Sequence, residues 1–283
     1  MKKIIILILL MLFCCKAEAM TCGYTCVKPY DLSFGLSRFF SSVSGSNFLG
    51  KQVAKSILKK EIIKNADGKF TVKVDSYSVK DLKKGIFKRV IIKGKNISAN
   101  GINVSEFKLN TLCKFNYIAF SDTGNPIFKE DLPLEFELVI TEDDLNKTML
   151  SESYKKLLSK LNSVGSSYGL FWINGTGVKI KDNKFYYVLN VAIPFVKKPQ
   201  NLVIASDLSA VNGQIDFTNT KLVNSKFSLD LKKIDGIINY LNPLDFSLNI
   251  LENKDARVTV QTVKIENNKI ETSGYFVVPK DEG

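Results

Sequence analysis

The chain changes hydrophobic rhythm several times, and each change marks an element. From Asn47 to about Asn65, Leu49, Val53 and Ile57 fall on one i, i+4 row, with Ala54, Leu58 and Ile62 beside it and Lys51, Lys55 and Lys59 on another face. This pattern predicts an amphipathic helix with a basic edge, suited to packing on a sheet or lying on a membrane surface. From Phe70 the period becomes two. Phe70, Val72 and Val74 alternate with polar residues, Val90–Ile92 and then Phe107 and Leu109 follow, and Leu134, Phe136, Leu138 and Ile140 predict a half-buried strand. Thr141-Glu142-Asp143-Asp144 then opens a second helix, with Thr141 capping free amides and the acids complementing the positive end of the helix dipole. Its apolar stripe is Leu145, Met149, Tyr154, Leu157, Leu158 and Leu161.

The second half repeats this grammar. Strands are predicted over Phe171–Lys181, Lys184–Pro194, Leu202–Val211 and Gln214–Val223. Phe227, Leu229 and Leu231 lead into a short helix with Ile234, Ile237, Ile238 and Leu241, stopped by Asn242-Pro243. Phe246, Leu248 and Ile250 read as a further strand, followed by Arg257–Ile265 and Lys269–Val278. Val178–Phe185 and Val263–Ile270 are near copies, and Asp182-Asn183 and Asn267-Asn268 sit where two-residue hairpin turns need residues tolerant of positive φ. The expected fold is α+β: a long, strongly twisted antiparallel sheet wrapped around two longer helices and one short helix.

The first residues follow a different logic. Lys2 and Lys3 precede an unbroken apolar run from Ile4 to Phe13, and Ala17-Glu18-Ala19 supplies the small residues a signal peptidase needs. A membrane-spanning helix needs about 20 apolar residues, so the run is too short to remain as one. Residues 1–19 are therefore expected to be a signal peptide cleaved after Ala19, residues 20–46 a flexible lead-in, and residues 47–280 a single β-rich domain. Cys14 and Cys15 raise lipid anchoring as a rival, but Phe13 and Cys14 suit an acylation site poorly. The expected location is the periplasm or outer envelope, soluble or peripheral.

Export changes the meaning of the charge. The formal net charge is +12, and the stretch from Lys51 to Lys95 holds fourteen Lys or Arg against Glu61, Asp67, Asp75 and Asp81. In the cytoplasm such a region points to nucleic acid. In an exported protein it points to a phospholipid or an anionic membrane surface, and away from nucleic acid and nucleotide. The candidate headgroup or membrane contacts are Lys51, Lys55, Lys59, Lys83, Lys84, Lys88 and Arg89. The plainer alternative is a solvated face that keeps the protein in solution.

Catalytic chemistry finds little support. The chain has no histidine, which excludes Ser-His-Asp and Cys-His arrangements and any histidine-containing metal site. Gly165–Gly169 has the G-x-S-x-G spacing of a nucleophile elbow, yet follows a predicted helix and precedes a strand, the reverse of what the elbow requires. Gly45–Lys51 resembles a phosphate loop but continues with Gln52 in place of Ser or Thr. Glu130 and Asp131 are sequence neighbours, which point to opposite faces of a strand. Three cysteines remain after cleavage, too few for a four-cysteine zinc site. Cys22 and Cys26 are placed to pair in an oxidising compartment, leaving Cys113 as a buried thiol. No enzyme activity and no cofactor are expected.

Three segments carry a family resemblance. One is Thr71–Phe120, with its rhythm of Ser76, Val79, Leu82, Gly85, Phe87 and Val90; another is Leu138–Asn146, a strand running into a helix. The third is the ending, Asn242–Leu248 and then Val263–Gly274. Over roughly residues 45–278 the chain resembles the LmeA-like phospholipid-binding family of bacterial envelope proteins. The resemblance implies a tubular lipid-binding-like fold and binding of a phospholipid or related acyl lipid in an apolar groove, for lipid transfer or envelope maintenance. The competing expectation is a non-catalytic scaffold of the envelope that binds a protein or an anionic wall polymer.

Overall fold

The computed structural model of the protein describes residues 24–35, 46–121, 126–194, 196–223, 231–248 and 258–281. The expected signal peptide, with Cys14, Cys15 and the cleavage point at Ala19, lies outside the described residues. So do Cys22, Gly45, Phe227, Leu229, Ile250 and most of the lead-in before residue 46.

The class is α+β, built mostly from antiparallel sheets that do not close. Helix α1 (Ser46–Asn65) leads into β1 (Asp67–Asp75), a short α2 (Val79–Lys83), β2 (Ile86–Phe87), β3 (Arg89–Ala99) and β4 (Ile102–Thr111). Then come β5 (Asn116–Phe120), β6 (Pro126–Phe128), β7 (Leu132–Thr141), α3 (Glu142–Met149) and α4 (Glu152–Ser167). The second half comprises β8 (Trp172–Lys181), β9 (Lys184–Ala192), β10 (Gln200–Val211) and β11 (Gln214–Leu222). It ends with α5 (Leu231–Tyr240), α6 (Pro243–Leu248), β12 (Val258–Glu266) and β13 (Lys269–Val278).

The described strands divide among three sheets where one long sheet was expected. A six-stranded sheet runs β1-β3-β4-β7-β13-β12, a four-stranded sheet β11-β10-β9-β8, and a small sheet β2-β5-β6. The last two strands of the chain thus return to the first sheet, and β13 pairs with β7 from Lys269↔Thr141 to Val278↔Leu132. The two larger sheets meet where the Val260 amide donates to the Gly213 carbonyl.

Local chemistry explains most element boundaries. Asp182, Asn183, Asn267 and Asn268 all have positive φ between 51° and 57°, so both hairpins turn through adjacent left-handed residues. Thr141 forms a full capping box with Asp144 at the start of α3. The single second helix expected from the stripe Leu145–Leu161 is instead two. Ser151 accepts from the Tyr154 amide and caps a new helix, α4, and that break turns the stripe so that Leu145, Met149 and Tyr154 are all buried.

One predicted strand is a helix. Phe246 and Leu248 alternate like strand residues, but they belong to α6. The Asn242 side chain accepts from the Leu244 amide, Pro243 takes the first helical position where its missing amide costs nothing, and the Ser247 hydroxyl bonds the Pro243 carbonyl. Six residues are too few for period to decide between the two.

Candidate functional site

Two adjoining cavities lie where α1 crosses the six-stranded sheet. The first is apolar and holds about 320 Å³. Its floor is built from neighbouring cross-strand rows on one face of the sheet. Val74 and Val90 are paired, Thr111 and Leu134 are paired, and Ile92 sits opposite Leu109. Alternation puts every second side chain of a strand on one face, which is why these residues converge. Leu82, Phe87 and Ile118 wall one side, and α1 contributes Ala54, Ile57 and Leu58.

Leu82, Gly85, Phe87 and Val90 of the rhythmic Ser76–Val90 segment therefore line the same cavity. Gly85 has φ +89°, and a Cβ there would lie 1.7 Å from the Ile118 carbonyl oxygen, so only glycine lets β5 approach this closely. α2 is positioned by Ser78, whose hydroxyl accepts from the Asp81 amide and donates to the Asp81 carboxylate.

α1 covers the sheet without filling the space beneath it. Ile62 and Ala66 pack on the core, but Ile57 remains 63% exposed. The side chains of Leu49 and Val53, expected on the same row as Ile57, lie outside the described residues. The helix holds to β1 through Lys51, whose ammonium lies 3.7 Å from Asp75.

The second cavity holds about 520 Å³ and is cationic. Lys51, Lys88, Arg89 and Lys114 line it against the lone carboxylate of Asp75. Thr111 lines both cavities, so the apolar space opens beside a concentration of positive charge. Arg89 is oriented by a 2.6 Å hydrogen bond from Nε to Asn110 Oδ1, and the Lys88 ammonium sits 5.0 Å from the centroid of the Tyr77 ring.

Of the seven basic residues singled out from the sequence, the structure brings three together here: Lys51, Lys88 and Arg89. Lys59 lines a separate open depression on α1 with Lys60 and Lys64. Lys55 is half-buried on the same helix, and Lys83 is exposed on α2. Lys84 points elsewhere, pairing at 2.8 Å with Asp31, whose carboxyl the ammonium holds below its ordinary range. Lys114 was missed. Its signal was its place one residue beyond Cys113, which read as part of a buried strand face.

The cysteine expectation is overturned. Cys26 is bonded to Cys113, closing a sequence separation of 87, so it does not pair with Cys22 and Cys113 is no free thiol. Segment 24–34 is held alongside the small sheet, which carries Cys26 to the bend after β4. The Ser33 amide and hydroxyl donate to the buried Asp81, the Tyr24 hydroxyl donates to Asp131 at 3.1 Å, and the Tyr30 hydroxyl donates to Glu130 at 2.6 Å. Glu130 and Asp131 thereby act as anchors for two tyrosines. Burial, then the bond to Asp131, pushes the Tyr24 hydroxyl up to about 12. The bond to Glu130, then burial, does the same for Tyr30.

The G-x-S-x-G run at Gly165–Gly169 straddles the end of α4, with Gly165, Ser166 and Ser167 still helical. Among the described residues no group of three or more metal-ligating side chains converges, and no helix is long and apolar enough to cross a membrane. No protein-family model matches the sequence, and no curated protein or solved structure is significantly similar to it.

Proposed function

We propose that the protein binds a phospholipid or related acyl lipid, without catalysis, with an acyl chain in the apolar cavity beneath α1 and the anionic headgroup over the adjoining cationic cavity. The observation that carries this reading is the shared wall at Thr111 between an apolar space of about 320 Å³ and a pocket lined by four cations and one carboxylate. Small-molecule pockets run from roughly 300 to 1,000 Å³ and are mostly apolar with a few placed polar groups. A headgroup phosphate takes bidentate bonds from Arg89 and point charges from Lys51, Lys88 and Lys114. The LmeA-like resemblance and a tubular lipid-binding-like arrangement belong to the same proposal. So does export to the periplasm or outer envelope, with which the Cys26–Cys113 disulfide agrees.

A scaffold with a filled core is the competing reading. It suits the four-stranded half, but leaves the open apolar space under α1 without a purpose. The experiment is native mass spectrometry of gently purified protein, followed by uptake of a fluorescent phospholipid from anionic vesicles. Bound phospholipid, lost in Leu109→Trp because the larger ring fills the cavity, is the expected result. A lipid-free mass together with no uptake by the unaltered protein overturns the proposal.

A further inference from the structure

The four-stranded half presents a second surface, far from α1 in the chain and unrelated to the cavities. At the end of α4 and the start of β8, Val164 is 56% exposed, Tyr168 74%, Leu170 59% and Trp172 49%. These side chains are held out by a rigid frame. The Asn162 side chain bonds both the amide and the carbonyl of Ile173 at 2.8 Å, and the Leu170 amide bonds the Gly165 carbonyl. Gly165 packs so closely on Phe171 that a Cβ would lie 2.7 Å from the Phe171 carbonyl oxygen. Large apolar groups fixed in water by such a frame mark an interaction surface.

Charge identifies what the surface meets. Trp172 pairs with Ala192, so the β9–β10 connection with exposed Lys197 and Lys198 lies at the same end of the sheet. Lys160 is exposed one helical turn before Val164. Between Ser153 and Ser206 the sole acidic residue is Asp182, in the turn at the opposite end of the β8–β9 hairpin. The end of the sheet is therefore aromatic, apolar and cationic, with no carboxylate supplied by this stretch of chain. Trp and Tyr favour the headgroup level of a bilayer, where each nearby Lys adds attraction to anionic lipid.

We infer that this end of the molecule docks on the surface of a bilayer containing anionic phospholipid, with Trp172, Tyr168 and Leu170 entering the interface and Lys160, Lys197 and Lys198 meeting headgroups. The inference does not depend on lipid entering the cavity beneath α1, which contains no tryptophan.

Trp172 is the only tryptophan in the chain, so its emission reports on this surface alone. The unaltered protein is mixed with vesicles of phosphatidylcholine and phosphatidylglycerol, then with phosphatidylcholine alone. With the anionic vesicles, a blue shift and protection from acrylamide quenching are expected. Replacing both Lys197→Ser and Lys198→Ser should weaken partitioning about thirtyfold. The exposed substitution Leu170→Asp should abolish the shift while leaving the circular dichroism spectrum unchanged.

Protein that sediments with vesicles while Trp172 emission stays constant docks through another face, and overturns the inference. Absence of any vesicle binding does the same. So does a Trp172 shift that follows protein concentration without vesicles, because it assigns the surface to a second copy of this chain.

Discussion

The two larger sheets bury their inner faces in different ways. On the four-stranded sheet, Phe185, Tyr187 and Leu189 of β9 meet Tyr154 of α4 and Leu241 and Leu244 around α6, and all are buried. The two buried tyrosine hydroxyls there are matched. The Tyr154 hydroxyl donates to the Leu241 carbonyl at 2.6 Å and lies 2.8 Å from the Tyr187 hydroxyl. On the six-stranded sheet, β7 and β13 are covered and α3 packs on β4, but where α1 lies over β1, β3 and β4 an open apolar space remains. Helices that bring one large aromatic into the centre fill the gap between layers. α1 offers Ala54, Ile57 and Leu58 at the same place, and these do not reach. One region is packed as a core, and the other leaves an open apolar space, the container in the proposed function.

The contrast is broken most directly at its best-packed point. Tyr154→Ala removes a fully buried ring and leaves the Leu241 carbonyl only its longer 3.4 Å bond from the Tyr187 hydroxyl, so chemical denaturation should show a loss of about 3–5 kcal/mol. Lipid uptake beneath α1 should survive in whatever fraction stays folded.

Cutting the strap beside the container should cost somewhat less. Cys26→Ser frees a chain segment whose ends are 87 residues apart, and loss of such a loop closure typically costs about 2–4 kcal/mol. Reductant should weaken the unaltered protein equally and leave the variant unaffected, as followed by thermal unfolding.

A smaller effect is expected with alkali. Burial pushes the Tyr154 hydroxyl up to about 12, above its ordinary value of 10. The neutral form is thus favoured in the folded state, so this contribution is complete below about pH 10 and is lost as pH rises towards 12. The fall in unfolding midpoint over that range should be shallower in Tyr154→Phe, which has no proton to lose there.

The smallest stability change is expected on the container side. Ile57→Ala trims a side chain that is 63% exposed, and should shift stability by under about 1 kcal/mol. Its effect should appear instead in slower or weaker uptake of a fluorescent phospholipid. A large stability loss at Ile57 would mean that α1 is part of a filled core after all.

Much of the architecture was legible along the chain. Strict alternation in Phe70–Val74 and Leu134–Ile140, the Asp182-Asn183 and Asn267-Asn268 turns, and the Thr141 cap all use interactions between close neighbours. The failures share a cause as well. Phe246 and Leu248 read as a strand because a short alternating run carries no information on which neighbours will cover it. The Leu145–Leu161 stripe read as one helix because the Ser151 break costs only one turn of periodicity. Of the candidate site, the basic residues were visible, but not that Lys51, Lys88 and Arg89 converge with Lys114 while Lys84 turns away to Asp31.

What the sequence determined by itself was the longer strands and their alternating inner and outer faces, the hairpin turns, the concentration of charge between Lys51 and Lys95, and the absence of histidine chemistry. Each is a property of residues close in the chain or of composition. Only the tertiary structure decided that the described strands form three sheets, that Cys26 reaches Cys113 across 87 positions, and that α1 stands over a space it does not fill. Those outcomes depend on which distant surfaces meet and how closely their volumes match, and side-chain pattern sets the sign of such an encounter but not its fit.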